Sequence, residues 1–176
     1  MYKQDLDTAS GMWALWDYST YKNVNSYEDW EPLFCEDQDI EKQISKRAFV
    51  PINICQDGCC AFTVKVNEPL NDREEKYLCV KSEEYLFYSN GKAVVSGIEH
   101  IMSSVSESHC ICFDLPEGYY SVVVCLISWD EEPNAYLPDG SINPDALSDF
   151  VVLINTESNI EGKEYGYRVE TFEADR

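Results

Sequence analysis

Positive charge is what this sequence has least of. Thirteen Lys and Arg stand against thirty-three Asp and Glu in 176 residues, a formal net charge of −20. A surface of that sign repels nucleic acid and anionic membranes, because both need cationic counter-charge. It speeds encounter with a cationic protein. Histidine is nearly as scarce: only His100 and His109 are present. Neither sits in a nucleophile elbow or a His-Glu-x-x-His helix. Glycine-rich phosphate loops are missing. The longest apolar run, Val122 to Ile127, is far too short to span a bilayer. Met1-Tyr-Lys-Gln-Asp-Leu-Asp7 has neither the basic nor the apolar region of a signal peptide, so the expected location is cytoplasmic. With no catalytic constellation in view, the expectation is a non-enzymatic protein. A Cys–His dyad stays open as the minor alternative, since such dyads form in space rather than along the chain.

What is present is apolar and aromatic, 44% and 13% of the residues, which rules against disorder as the source of the acidity. Eight cysteines without an export signal read as reduced thiols behaving as small buried hydrophobes. The acids crowd the two ends. Residues 1–42 hold ten against Lys3, Lys22 and Lys42, and residues 130–176 hold twelve against Lys163, Arg168 and Arg176.

The patterning is mostly that of strands. Residues 9–18 alternate as a first strand, and residues 19–32 read as an acidic, aromatic loop. Residues 37–46, with Ile40 and Ile44 four apart and acids at the start, form the one helical window. From Arg47 onward short strands follow at irregular spacing: 48–54, 60–66, 76–81, 84–88, 92–96, 110–115, 119–129, 150–155 and 164–172. Asp57-Gly58 and Asn90-Gly91 carry hairpin signals. Val122, Val124 and Leu126 back onto Val123, Cys125 and Ile127, so residues 119–129 are expected to be central and buried on both faces.

These features predict an all-β, two-layer antiparallel β-sandwich or open barrel with one short helix near the N-terminus. The chain is expected to be a single domain, residues 1–176. Residues 1–46 form an acidic extension with the first strand and the helix, and residues 47–172 form the sandwich core.

Five groups of residues carry chemistry worth weighing. Cys55-x-x-x-Cys59-Cys60 and His109-Cys110-Ile111-Cys112 lack the Cys-x-x-Cys spacing of zinc knuckles. No metal and no cofactor are expected; Cys110, Cys112 and His109 come nearest to a ligand set. Asp139 to Asp145 places oxygens at alternate positions, but Pro144 stands where a calcium loop needs glycine, so it reads as an ordinary polar loop. Two aromatic–acidic clusters remain, Tyr27-Glu-Asp-Trp30-Glu31 and Trp129-Asp130-Glu131-Glu132. Their rings suit interface anchoring and their carboxylates select a basic partner. Trp30, Glu31, Trp129, Asp130, Glu131 and Glu132 are therefore the candidate partner-binding residues.

Cys112-Phe-Asp-Leu-Pro-Glu-Gly-Tyr-Tyr120, followed by its apolar strand, resembles the competence protein J family of small bacterial nuclease inhibitors. Ala61-Phe-Thr-Val64 and Asn90-Gly91 leading to Ile98-Glu99 add to the likeness, which spans roughly residues 47–156. The resemblance implies a shared fold type and an inhibitor role, and it assigns no binding residue. The combined reading is a cytoplasmic acidic domain that binds a basic protein, as inhibitor or immunity protein of a nuclease or toxin. The alternative is a small-ligand or metal-binding β-sandwich. Neither nucleic acid nor membrane is an expected partner, and the oligomeric state stays open.

Overall fold

The computed structural model describes residues 1–173. Its longest element is β7, Cys110–Ile127, which pairs along its length with β6, Tyr85–Gly97. The sequence signals a hairpin at Asn90-Gly91 and a Pro/Gly turn, Pro116–Gly118, between separate strands 110–115 and 119–129. The chain reverses at neither. Each is a bulge inside a continuous strand, and the two face each other: Ser89 pairs with Gly118, and the register resumes at Gly91 with Leu115. Pro116 has no N–H to give the ladder. Gly91 and Gly118 take φ of +112° and +156°, conformations that favour glycine. Ser89 Oγ closes the gap by donating to the Leu115 carbonyl and accepting from Gly91 N–H.

The remaining strands complete one sheet. They are β1 (Tyr2–Thr8), β2 (Met12–Asp17), β3 (Phe49–Asn53), β4 (Gly58–Val66), β5 (Leu78–Lys81) and β8 (Phe150–Thr156). The order is β1-β4-β8-β7-β6-β2-β3, with β5 pairing β7 beside β6. All pairs are antiparallel except β4 with β8. The protein is mostly β as expected; among the described residues it is one mixed, open, eight-stranded sheet, where the expectation was a two-layer antiparallel sandwich or an open barrel. Asp57-Gly58 likewise joins no hairpin, because β3 pairs with β2 while β4 pairs with β1 and β8. As expected, β7 is interior, flanked by β6 and β8.

The sheet curls strongly. Trp13 of β2 packs against Phe62 of β4 and Phe150 of β8, at centroid distances of 5.3 and 6.0 Å, although three strands separate β2 from β4. Tyr2 of β1 stacks on Phe113 of β7 at 5.0 Å. Curling lets the inward faces of distant strands meet, so one sheet encloses its own core. Alternation in β2 sends Trp16 the other way, where it meets Tyr21 at 6.0 Å and donates its indole N–H to Ser96 Oγ. A second apolar cluster (Cys125, Ile127, Val151 and Leu153) lies on the reverse of β7 and β8 and is covered by Leu78, Trp129 and Leu147. This double burial is why β7 is apolar on both faces.

Helices are more numerous than the single one expected. α1 (Tyr18–Tyr21), α2 (Tyr27–Phe34) and α3 (Asp37–Ser45) occupy the N-terminal third, and α4 (Asp72–Lys76) lies between β4 and β5. α3 matches the predicted window. α2 falls where a loop was expected: Ser26 caps it by accepting from Asp29 N–H, and Trp30 and Phe34, four apart, turn inward. Phe34 stacks on Phe49 at 5.5 Å, which seats α2 and α3 over β3. Residues 164–172 do not form the expected edge strand. They make isolated bridges from Gly166 to Tyr85 and from Thr171 to Asn53, and Phe172 packs edge-on against Phe150.

Candidate functional site

The α2–α3 pair concentrates charge. Residues 27–45 carry Glu28, Asp29, Glu31, Glu36, Asp37, Asp39 and Glu41, with Lys42 as the only cation. Lys42 is taken by Asp39 at 2.6 Å. Burying Trp30, Phe34, Ile40 and Ile44 beneath the helices leaves the acids on the outer side, five of them fully exposed. Acids in the first turn of each helix also complement the helix dipole, so local structure and surface charge agree. Asp29 is held below its ordinary value by hydrogen bonds from Asn25 N–H and the Ser26 hydroxyl.

Within this field, Tyr27 is the projecting ring. It is 60% exposed and stacks on Trp30 at 5.7 Å with planes 25° apart. Its hydroxyl lies 3.9 Å from Cys35 Sγ and 3.3 Å from Glu31 Oε1, and the two together push the phenol up. Trp30, the residue favoured by sequence, is 8% exposed, and its indole N–H donates to the Ile98 carbonyl at 2.7 Å. Trp30 is the buried support and Tyr27 the exposed ring. Between α2 and the 3-10 turn Ile98–His100 runs a groove of about 430 Å³, lined by Tyr27, Trp30, Cys35, Glu99 and Met102 among others. Glu31 is exposed.

Trp129 lines a different cleft, of about 600 Å³, with Lys3, Asp5, Cys59 and Asp149. The indole N–H donates to Asp149 Oδ1 at 2.7 Å, while Asp149 Oδ2 accepts from Ala61 N–H, so the ring is fixed against β4. Tyr136 packs on it at 5.5 Å. Asp130 and Glu131 are exposed on the 3-10 turn that follows. Glu132 turns back: both its oxygens accept from Arg73 at 2.7 Å, and this pairing holds its carboxyl below the usual range. Its charge is spent inside the molecule. The structure does not bring the two aromatic–acidic clusters together, since their clefts share no lining residue.

Cys110, Cys112 and His109 do not converge. Cys110 Sγ donates to the Ser106 carbonyl and lies 3.8 Å from Cys112 Sγ. Burial, with Cys112 beside it, pushes the Cys110 thiol up to about 12, so it stays protonated. His109 instead faces Asp7, with Nδ1 3.2 Å from Oδ1. In the loop after β7, Asp139 Oδ1 accepts from the backbone N–H and the hydroxyl of Ser141, as in an ordinary polar turn.

Sequence reasoning passed over three residues. Asp17 and Asp149 are acids that hold other groups in place, and among thirty-three acids nothing marks them out. Tyr27 could have been found from the cap Ser26-x-x-Asp29 and the Trp30–Phe34 spacing, which put Tyr27 at the helix start.

No family model matches the sequence, and no curated protein matches it. Among solved structures, the chain shares its fold with a protein described as crocagin biosynthetic gene J. The TM-score is 0.51 and the identity 14%, over 89% of this chain and 99% of that one. It also aligns with ComJ, inhibitor of the DNA degrading activity of NucA, from Bacillus subtilis, at a TM-score of 0.46 and 12% identity, over 89% and 96% of the two chains. At these identities the likeness is one of fold.

Proposed function

We propose that this chain is a non-enzymatic, cytoplasmic protein-binding domain whose α2–α3 face docks a basic partner, and that the partner is a nuclease or toxin. One observation carries the reading: the α2–α3 segment holds seven carboxylates against a single paired lysine, together with an exposed tyrosine braced by a buried tryptophan. Such a face has the ingredients of an interface with a cationic protein. Charge complementarity sets encounter rate and partner choice, and a rigid aromatic sets residence. Carboxylates on two successive helices stand where a nuclease would otherwise meet substrate phosphates. The choice of a nuclease follows the resemblance of Cys112–Tyr120 to the competence protein J family. Asp130 and Glu131 offer a second, smaller acidic point beside Trp129.

The test is direct. The purified chain is incubated with any nuclease encoded beside its gene and with basic bacterial DNA nucleases, and degradation of duplex DNA is followed at about 50 mM and about 300 mM salt. Stoichiometric inhibition that weakens at the higher salt supports the proposal. Undiminished cleavage with no complex by size-exclusion chromatography refutes it.

A further inference from the structure

The only two histidines in the chain meet. His100, in the 3-10 turn after β6, and His109, immediately before β7, stack with ring centroids 4.8 Å apart and planes inclined at 22°. Asp7, near the end of β1, approaches the pair from the neighbouring edge strand, its Oδ1 3.2 Å from His109 Nδ1. One donor atom from each of Asp7, His100 and His109 lies within 4.8 Å of the other two. We propose that these three residues form a binding site for a divalent first-row transition ion, with Zn(II) as the fitting probe.

Three features carry this inference. The first is an unexplained atom: His100 Nε2 is buried and has no hydrogen-bond partner. An Asp7–His109 hydrogen bond alone leaves that nitrogen orphaned, whereas a metal ion supplies the missing partner. The second is the donor set. Two imidazoles and one carboxylate suit Zn, Fe, Co, Ni or Cu, and they suit Mg and Ca poorly. No cysteine belongs to the group, so the site is distinct from Cys110 and Cys112. The third is the surrounding support. Glu99 Oε1 lies 3.9 Å from His100 Nε2, and the same carboxylate is fixed by Ala9 N–H at 2.7 Å and the Thr8 hydroxyl at 3.1 Å. A carboxylate held this close to the ligating nitrogen adds negative charge beside the ion.

Metal–ligand distances of about 2.0–2.1 Å need donors roughly 3.3 Å apart, so binding draws the trio inward. Asp7 can supply the movement, its side chain being 57% exposed. The three ligands belong to β1 and to the two ends of the β6–β7 connection, so the ion ties an edge strand to that connection. Three protein ligands leave at least one coordination position open.

Protein freed of metal with a chelator is titrated with Co(II) and then Zn(II). The expected result is one Co(II) per chain, with d–d absorption and no thiolate charge-transfer band, displaced by one equivalent of Zn(II). His100→Gln and His109→Gln should each weaken binding at least tenfold, Asp7→Asn should weaken it measurably, and Cys110→Ser/Cys112→Ser should leave it unchanged. Paramagnetic broadening of both imidazole signals by Co(II) in the unaltered chain reads the same site without relying on a variant's folding. Absence of stoichiometric binding, a thiolate charge-transfer band, or imidazole signals untouched by Co(II) overturns the proposal.

Discussion

Asp17 holds Asn90 by both ends. Asp17 Oδ1 accepts the Asn90 backbone N–H at 2.8 Å, and Oδ2 accepts the Asn90 side-chain amide at 2.9 Å. The same Oδ2 accepts from the backbone N–H and the hydroxyl of Thr20, capping α1. One buried carboxylate therefore fixes the bulge of β6 and starts the helical layer. Asn90 N–H would otherwise have no partner in the ladder at this bulge.

Asp17→Ala should destabilise the fold by about 1–2 kcal/mol, since it removes a helix cap and the part-buried hydrogen bonds to Asn90 and Thr20. Urea unfolding measures the loss. A change below about 0.5 kcal/mol would show that the bulge stands without this brace.

Lys65 and Glu74 form an ion pair with both side chains almost wholly buried. Lys65 also donates to the Pro69 carbonyl, and Glu74 accepts the Asn71 N–H in the cap of α4. Breaking one side strands a buried charge, so Lys65→Met should cost about 3–5 kcal/mol. Lys65→Met with Glu74→Gln should cost less than Lys65→Met alone, because no uncompensated charge remains. A double-mutant cycle by chemical denaturation reads this directly, and strict additivity would contradict it.

Hydrogen bonds from Arg73 hold the Glu132 carboxyl below its ordinary value of 4.5. A depressed folded-state value means the pair's stabilisation is present above that ordinary value and is lost as pH falls through the folded one. Arg73 is half exposed, so the effect is modest. Glu132→Gln should lower stability by about 0.5–1 kcal/mol near neutral pH, and the gap to the unaltered chain should narrow as the carboxyl is protonated in acid. A gap independent of pH would assign the effect to packing.

On the proposed docking face, charge and ring should separate kinetically. Replacing Glu28, Glu31 and Glu36 by Gln should slow association with the basic partner about tenfold and flatten its salt dependence. Tyr27→Ala should mainly speed dissociation, by about tenfold or more. Surface plasmon resonance distinguishes the two. Association that is indifferent to the triple change moves the interface elsewhere, with Asp130 and Glu131 next to be replaced.

Local patterning made the core strands legible. Residues 119–127 announce a doubly buried strand, and Ile40 with Ile44 announces α3. The errors share a cause. Asn90-Gly91 and Pro116–Gly118 have turn chemistry, but whether such residues reverse a chain or bulge it depends on the opposite strand, which lies more than twenty residues away. The curl that joins Trp13 to Phe62 and Phe150, and the parallel pairing of β4 with β8, are equally non-local. At the candidate site, the acid and aromatic content of residues 27–31 was readable. Which ring faces outward required the helix, and the meeting of Asp7, His100 and His109 required the sheet.

The strand order also sets a schedule. β8, the last strand to be synthesised, lies between β4 and β7. Until residue 150 leaves the ribosome, β1 with β4 and β7 with its neighbours share no ladder, and two sheet edges stand open toward each other. The chain is therefore most exposed to edge-to-edge aggregation in the interval before β8 inserts between them.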